Sequence, residues 1–140
     1  MKENCFYCED GEKRRSLMIE ICKLEVSTVY LNKDQKHKGR CVLKFNDHKT
    51  DFSALTPEEN AAFARDLRKL ACALNKLYCP DKINYAVYGD LVPHLHVHVV
   101  PKYKDALQWG GPFTDDIEKK LLTPNEYEIE VSRIRKELES

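Results

Sequence analysis

No run of apolar residues in this 140-residue chain approaches the roughly 20 that a membrane-spanning helix needs, so a membrane protein is not expected. Charge of one sign is also missing. Lys and Arg number 23, as do Asp and Glu, which leaves no net charge to favour a nucleic acid or a membrane surface. Met1-Lys2-Glu3-Asn4-Cys5 has neither the basic start nor the apolar stretch of a signal peptide, and there is no internal repeat or low-complexity segment. Six cysteines without a secretion signal suggest free thiols or metal ligands in a reducing, cytoplasmic setting. The expectation is one soluble domain over residues 1–140.

Three of the five histidines lie in one short stretch, Pro93-His94-Leu95-His96-Val97-His98-Val99-Val100-Pro101. The alternation has the period of a β-strand, so the imidazoles leave one face while Leu95, Val97 and Val99 enter the core. Neighbouring imidazoles then stand about 6.8 Å apart, close enough to surround one phosphate or bind one metal ion.

Other strands are expected at Leu17–Leu24, Val26–Leu31, Arg40–Phe45 and Ile83–Tyr88, from their β-branched and apolar content. Residues 9–16 read as a charged turn. Thr56-Pro57-Glu58-Glu59 and Thr123-Pro124-Asn125-Glu126 both carry a capping box with Pro at the first helical position. The first opens a long helix with Phe63, Leu67, Leu70 and Leu74 on its apolar side, and Arg65, Asp66, Arg68 and Lys69 mostly on its solvated side. The second opens a helix to about Leu138. Five strands and two helices in this order predict an α+β fold.

Cys5-Phe6-Tyr7-Cys8 has the spacing to chelate a metal or form a redox pair. No strand precedes it, which disfavours a redox βαβ site. A metal would need two further ligands, and His37, His48 and the three clustered histidines are the candidates. Cys22, Cys41, Cys72 and Cys79 sit in apolar-periodic segments and read as packed thiols. His48, in the polar turn 46–49, is by default solvated.

The sequence His94-Leu95-His96-Val97-His98-Val99-Val100 resembles the motif of the histidine-triad (HIT) superfamily at every position. The order of elements over residues 3–103 is similar as well, with a loop and helix at 104–140 beyond it. The resemblance implies a HIT-like α+β fold, a five-stranded antiparallel sheet with a long helix between strands 3 and 4 and a C-terminal helix. It implies a hydrolase or nucleotidyl transferase acting on the α-phosphate of nucleoside phosphoramidates or dinucleoside polyphosphates. His96 would be the nucleophile, and His94 and His98 would assist, His98 as acid to the leaving group. Leu31, Asn32 and Lys33 would hold the ribose and a purine base. The turn Gly89, Asp90 and Leu91, with His98, would face the phosphate. Resemblance to bacterial relatives with an N-terminal Cys-x-x-C implies a structural zinc ion on Cys5, Cys8, His48 and His94. It also implies a homodimer.

Several positions depart from the family pattern. Arg40 stands where a His is frequent, Asn32 where a carboxylate is usual, and Asp90-Leu91-Val92 where amides or hydroxyls are common. An acid at Asp90 would repel a phosphate unless it points away or Arg40 offsets it. The loop with Trp109 and Gly110-Gly111-Pro112-Phe113 suits either closure over the nucleotide or packing on a second subunit. Two other functions fit the residues: a nucleotide-binding sensor with little turnover, and a metallohydrolase with its ion on the His-x-His-x-His strand.

Overall fold

The structure, a computed structural model, describes residues 4–140; residues 1–3, where the expected domain begins, lie outside the described residues. Two short helices, α1 (Phe6–Glu9) and α2 (Glu12–Leu17), lead into strands β1 (Met18–Lys23), β2 (Ser27–Asn32) and β3 (Cys41–Phe45). After a 3-10 turn come helix α3 (Pro57–Tyr78), strands β4 (Lys82–Ala86) and β5 (His96–Lys102), and helix α4 (Pro124–Glu139). The strands form one antiparallel five-stranded sheet in the order β1-β2-β3-β5-β4. The expected α+β fold is present, with its long helix between strands 3 and 4. Among the described residues no helix is long and apolar enough to cross a membrane.

One face of the sheet makes the main core. Val29, Leu31, Cys41, Leu43, Phe45, Leu95, Val97 and Val99 pack there against Phe63, Leu70 and Leu74 of α3 and Val131, Ile134 and Leu138 of α4. Each large side chain buried this way is worth about 1.5–3 kcal/mol, which dominates local preferences. Both long helices start with the anticipated capping boxes, Thr56 with Glu59 and Thr123 with Glu126. The opposite face carries Tyr30 and Val42 under the N-terminal helices, in a smaller cluster with Cys5, Tyr7 and Met18.

Three local expectations are corrected. Residues 9–16 are mostly helical, because contacts with the sheet organise them. Arg14, 5% exposed, bonds Asp10 and the Met18 carbonyl and lies over the Tyr30 ring. Asp66 is not on a solvated face. Its carboxylate is buried and accepts from the Val26 amide (2.9 Å) and the Ser27 hydroxyl (2.6 Å), tying the β1–β2 turn to α3. Cys72 and Cys79 are exposed rather than packed, while Cys41 is fully buried.

Gly39 earns its place by backbone geometry. Its φ of +87° suits glycine, and a Cβ would lie 2.9 Å from the Tyr78 ring. That sharp bend delivers Arg40 to the start of β3, on the side of the sheet that holds the histidines.

Candidate functional site

Strand β5 lies inside the sheet, between β3 and β4, with His96 opposite Lys44 and His98 opposite Val42. Leu95, Val97 and Val99 fill the core, as the alternation requires. His94 precedes the paired part of the strand. All three imidazoles differ in what surrounds them.

Both ring nitrogens of His94 have partners. Its Nε2 donates to the Phe45 carbonyl oxygen at 2.7 Å. A carbonyl only accepts, so Nε2 carries the proton and Nδ1 presents a lone pair. That nitrogen lies 3.3 Å from Cys5 Sγ and 3.5 Å from Cys8 Sγ. His48 brings its Nδ1 to 3.3 Å from Cys8 Sγ, while its buried Nε2 has no hydrogen-bond partner. The ligand atoms of Cys5, Cys8, His48 and His94 all lie within 4.8 Å of one another. A tetrahedral ion with bonds of about 2.0–2.3 Å sets its ligands roughly 3.3–3.8 Å apart, so this group fits a closed metal site. His37 lies elsewhere, with Nε2 2.8 Å from Gln108 Oε1.

The His94 carbonyl oxygen in turn accepts from His96 Nδ1 at 2.6 Å. This leaves the His96 Nε2 lone pair free, and burial lowers the ring's pKa, favouring the neutral form. Tyr7 packs over both rings, 5.6 Å from His94 and 5.0 Å from His96 between centroids. His98 receives Arg40 Nη2 at its Nδ1, 3.3 Å away, which puts its own proton on Nε2. Burial first, then the Arg40 charge, pushes its pKa down to about 3.

His96 and His98 line a cleft of about 410 Å³ together with Tyr7, Leu17, Met18, Asn32, Lys33, Arg40 and Asp115. Of the residues expected at the nucleotide, Asn32 and Lys33 are therefore there. Leu31 is not: it is fully buried in the core on the other side of the sheet, since β2 alternates and Asn32 takes the cleft side. Apolar lining comes instead from Leu17, Met18 and Leu121. Gly89, Asp90 and Leu91 are exposed, Leu91 at 93%, and from that turn only Val92 reaches the cleft. The Trp109 loop divides its roles. Phe113 is buried beside His98, whereas Trp109, 40% exposed, lies with Lys82 and Asn84 of the β4 edge.

Tyr7 and Asp115 were not singled out from the sequence. Tyr7 is visible only as one of the intervening residues of the Cys-x-x-C, and Asp115 lies in a segment without periodicity, 75 residues from the arginine it meets.

A family model for the HIT domain matches residues 18–105. The chain belongs to the HIT domain family. It is 26% identical over 112 residues to an uncharacterised HIT-like protein of Mycoplasma genitalium, covering 76% of this chain and 79% of that one. A histidine triad protein of Bradyrhizobium japonicum superposes with a TM-score of 0.83 at 22% identity, over 91% of this HIT protein and 96% of the other. A zinc-bound histidine triad protein of Mycobacterium smegmatis superposes with a TM-score of 0.67 at 21% identity, over 97% and 94% of the two chains.

His98 makes the stability of this HIT domain acid-sensitive. With its pKa lowered from 6.5 to about 3 in the fold, the unfolded chain takes up a proton first. Its contribution is complete above about pH 6.5 and declines as the pH falls towards 3. Urea unfolding across that range is expected to show a smaller pH dependence in His98→Asn than in the wild type; identical slopes would exclude the depressed pKa.

Proposed function

We propose that this HIT protein is a nucleotide hydrolase or nucleotidyl transferase that attacks the α-phosphate of nucleoside phosphoramidates or dinucleoside polyphosphates. The observation that carries this is the 2.6 Å contact between His96 Nδ1 and the His94 carbonyl, because it reserves Nε2 for attack. The Nε2 lone pair forms a bond to phosphorus as the bond to the leaving group breaks. The leaving group departs with the electron pair and takes up a proton. Water then attacks phosphorus and gives a proton to His98, which the leaving group's departure has left free to accept one. The N–P bond breaks and its electrons return to Nε2, releasing the nucleoside monophosphate. Splitting the displacement in this way replaces one hard step with two easier ones.

His98 presents its Nε2 proton to a phosphate oxygen, where charge accumulates in the transition state. A ring this resistant to protonation is a neutral donor in the free protein. A phosphate anion beside it would raise the pKa again, so that the ring takes up the proton it then passes to the leaving group. Asn32 spends its Nδ2 on the Asp34 carbonyl at 3.1 Å, which leaves Oδ1 to accept from a ribose hydroxyl. Lys33 and the apolar lining would flank a purine base.

Zinc is the ion that suits two thiolates and two imidazoles on Cys5, Cys8, His48 and His94. Bound there, it would crosslink the N-terminal segment to the sheet and take no part in bond breaking. The three clustered histidines do not converge as a metallohydrolase would need, since His94 faces the thiols and His96 Nδ1 is spent on a carbonyl. Free thiols are in keeping with a cytoplasmic setting. A homodimer through the β4 edge is supported by the exposed Tyr85 on that strand and Val87 just beyond its end.

Intact-mass measurement after brief mixing with adenosine 5′-phosphoramidate or a diadenosine polyphosphate tests the chemistry. A nucleotidyl adduct is expected on the wild type and not on His96→Ala, whose turnover should fall at least about a thousandfold. Hydrolysis without an adduct that disappears on chelation would favour the metallohydrolase, and tight binding without turnover would favour the sensor.

Elemental analysis should find one zinc per wild-type chain and much less in Cys5→Ala; full retention in that variant would exclude the ligand set. Light scattering is expected to give twice the 16.3 kDa chain mass, and a monomeric mass would exclude the dimer.

A further inference from the structure

Arg40 is a buried cation with incomplete partners. It is 3% exposed, and its Nε is buried without a hydrogen-bond acceptor. Nη2 bonds His98, and the guanidinium lies 5.0 Å from the centroid of the Phe113 ring. An arginine cannot discard its proton, so a buried one demands a counter-ion. The charge is met by one carboxylate, Asp115, at 2.8 Å from Nη1.

The two partners are unequally held. Arg40 is anchored at the start of β3, whereas the Asp115 side chain is 70% exposed and belongs to the irregular segment between β5 and α4. Lys36 also approaches Asp115, at 3.9 Å, but is engaged more closely by Asp34 at 3.0 Å and by the Ile117 carbonyl at 2.9 Å. Burial alone would raise the Asp115 carboxyl; the adjoining Arg40 outweighs this and holds it below the usual carboxylate range. Arg40 and Asp115 line the same cleft as His96 and His98. Lys13, Lys33 and Lys119 line it too, and among the described residues none of these three is in an ion pair.

We infer that Arg40 binds a phosphate of the substrate, and that the Asp115 carboxylate occupies the phosphate's place until substrate displaces it. A guanidinium matches phosphate oxygens as it matches a carboxylate, and Nη1, now on Asp115, is the donor that the phosphate would take. A carboxylate on an exposed segment is the group free to leave; the cation is not. Substrates with a second phosphate would also find the unpaired lysines along the cleft. This inference rests on the nucleotide-cleft assignment above and names the residue that reads the anion.

The test is binding of AMP, inorganic phosphate and adenosine, by calorimetry, to the wild type, Arg40→Gln, Arg40→Lys and Asp115→Asn. AMP and phosphate should bind at least about 10-fold more weakly to Arg40→Gln, with part of the loss recovered in Arg40→Lys. Asp115→Asn should bind both about 3- to 10-fold more tightly, because their competitor is gone. Adenosine, lacking phosphate, should not distinguish the four proteins. Weaker AMP binding by Asp115→Asn would make the pair a permanent loop anchor and overturn the inference. Unchanged AMP affinity in Arg40→Gln would overturn it as well, while leaving the nucleotide cleft in place. Failure of the wild type to bind either AMP or phosphate would remove the cleft assignment and this inference together.

Discussion

The site depends on how one imidazole is held. His94 gives its Nε2 proton to the Phe45 carbonyl, turns Nδ1 towards two thiols, and offers its own carbonyl to His96. A neutral imidazole has one donor and one acceptor, so committing the first to a rigid strand determines the direction of the second. The position of the thiols and the tautomer of the neighbouring histidine therefore share one origin. Cys5 caps, and Cys8 lies in, a four-residue helix too short to be stable alone. It is held where it is by Tyr7 against the histidine rings and by the sulfur contacts.

Burial then separates the roles of three residues with the same side chain. His94 is fully enclosed, His96 is buried but faces the cleft, and His98 meets a fixed cation. Desolvation keeps all three neutral, and only the hydrogen-bond partners tell them apart. The result is a ring facing the thiols, a ring with a free Nε2, and a neutral donor, spaced along five residues. Arg40 adds a permanent positive charge at the far end, and the loop after β5 answers it with a carboxylate.

Much of the architecture was legible because it depends on periodic patterns. Alternating residues in β3 and β5, and apolar spacing in α3 with its capping box, place the sheet and the long helix within a residue or two. Leu31 shows the limit: adjacent to Asn32, it must face the opposite way on a strand, and it belongs to the core. Asp66 shows another, since a carboxylate among Arg65, Arg68 and Lys69 reads as solvated until a turn 40 residues away supplies amides for it. The helices at residues 6–17 were missed for a similar reason. They are too short for a period to register, and Arg14 is ordered by Tyr30 and the Met18 carbonyl.

By itself the sequence determined the strand-forming alternation of the histidines, the family to which the chain belongs, and the ends of the long helices, since each is written in residues close along the chain. Tertiary structure alone decided which nitrogen of each imidazole is free. It also brought Cys5 and Cys8 to His48 and His94, and set Asp115 against Arg40. The thiol–imidazole and Arg40–Asp115 contacts join groups 40 to 89 residues apart, and the His96 tautomer depends on a carbonyl orientation that the strand sets, with water lost around all of them. The spacing of residues along the chain does not reveal these contacts.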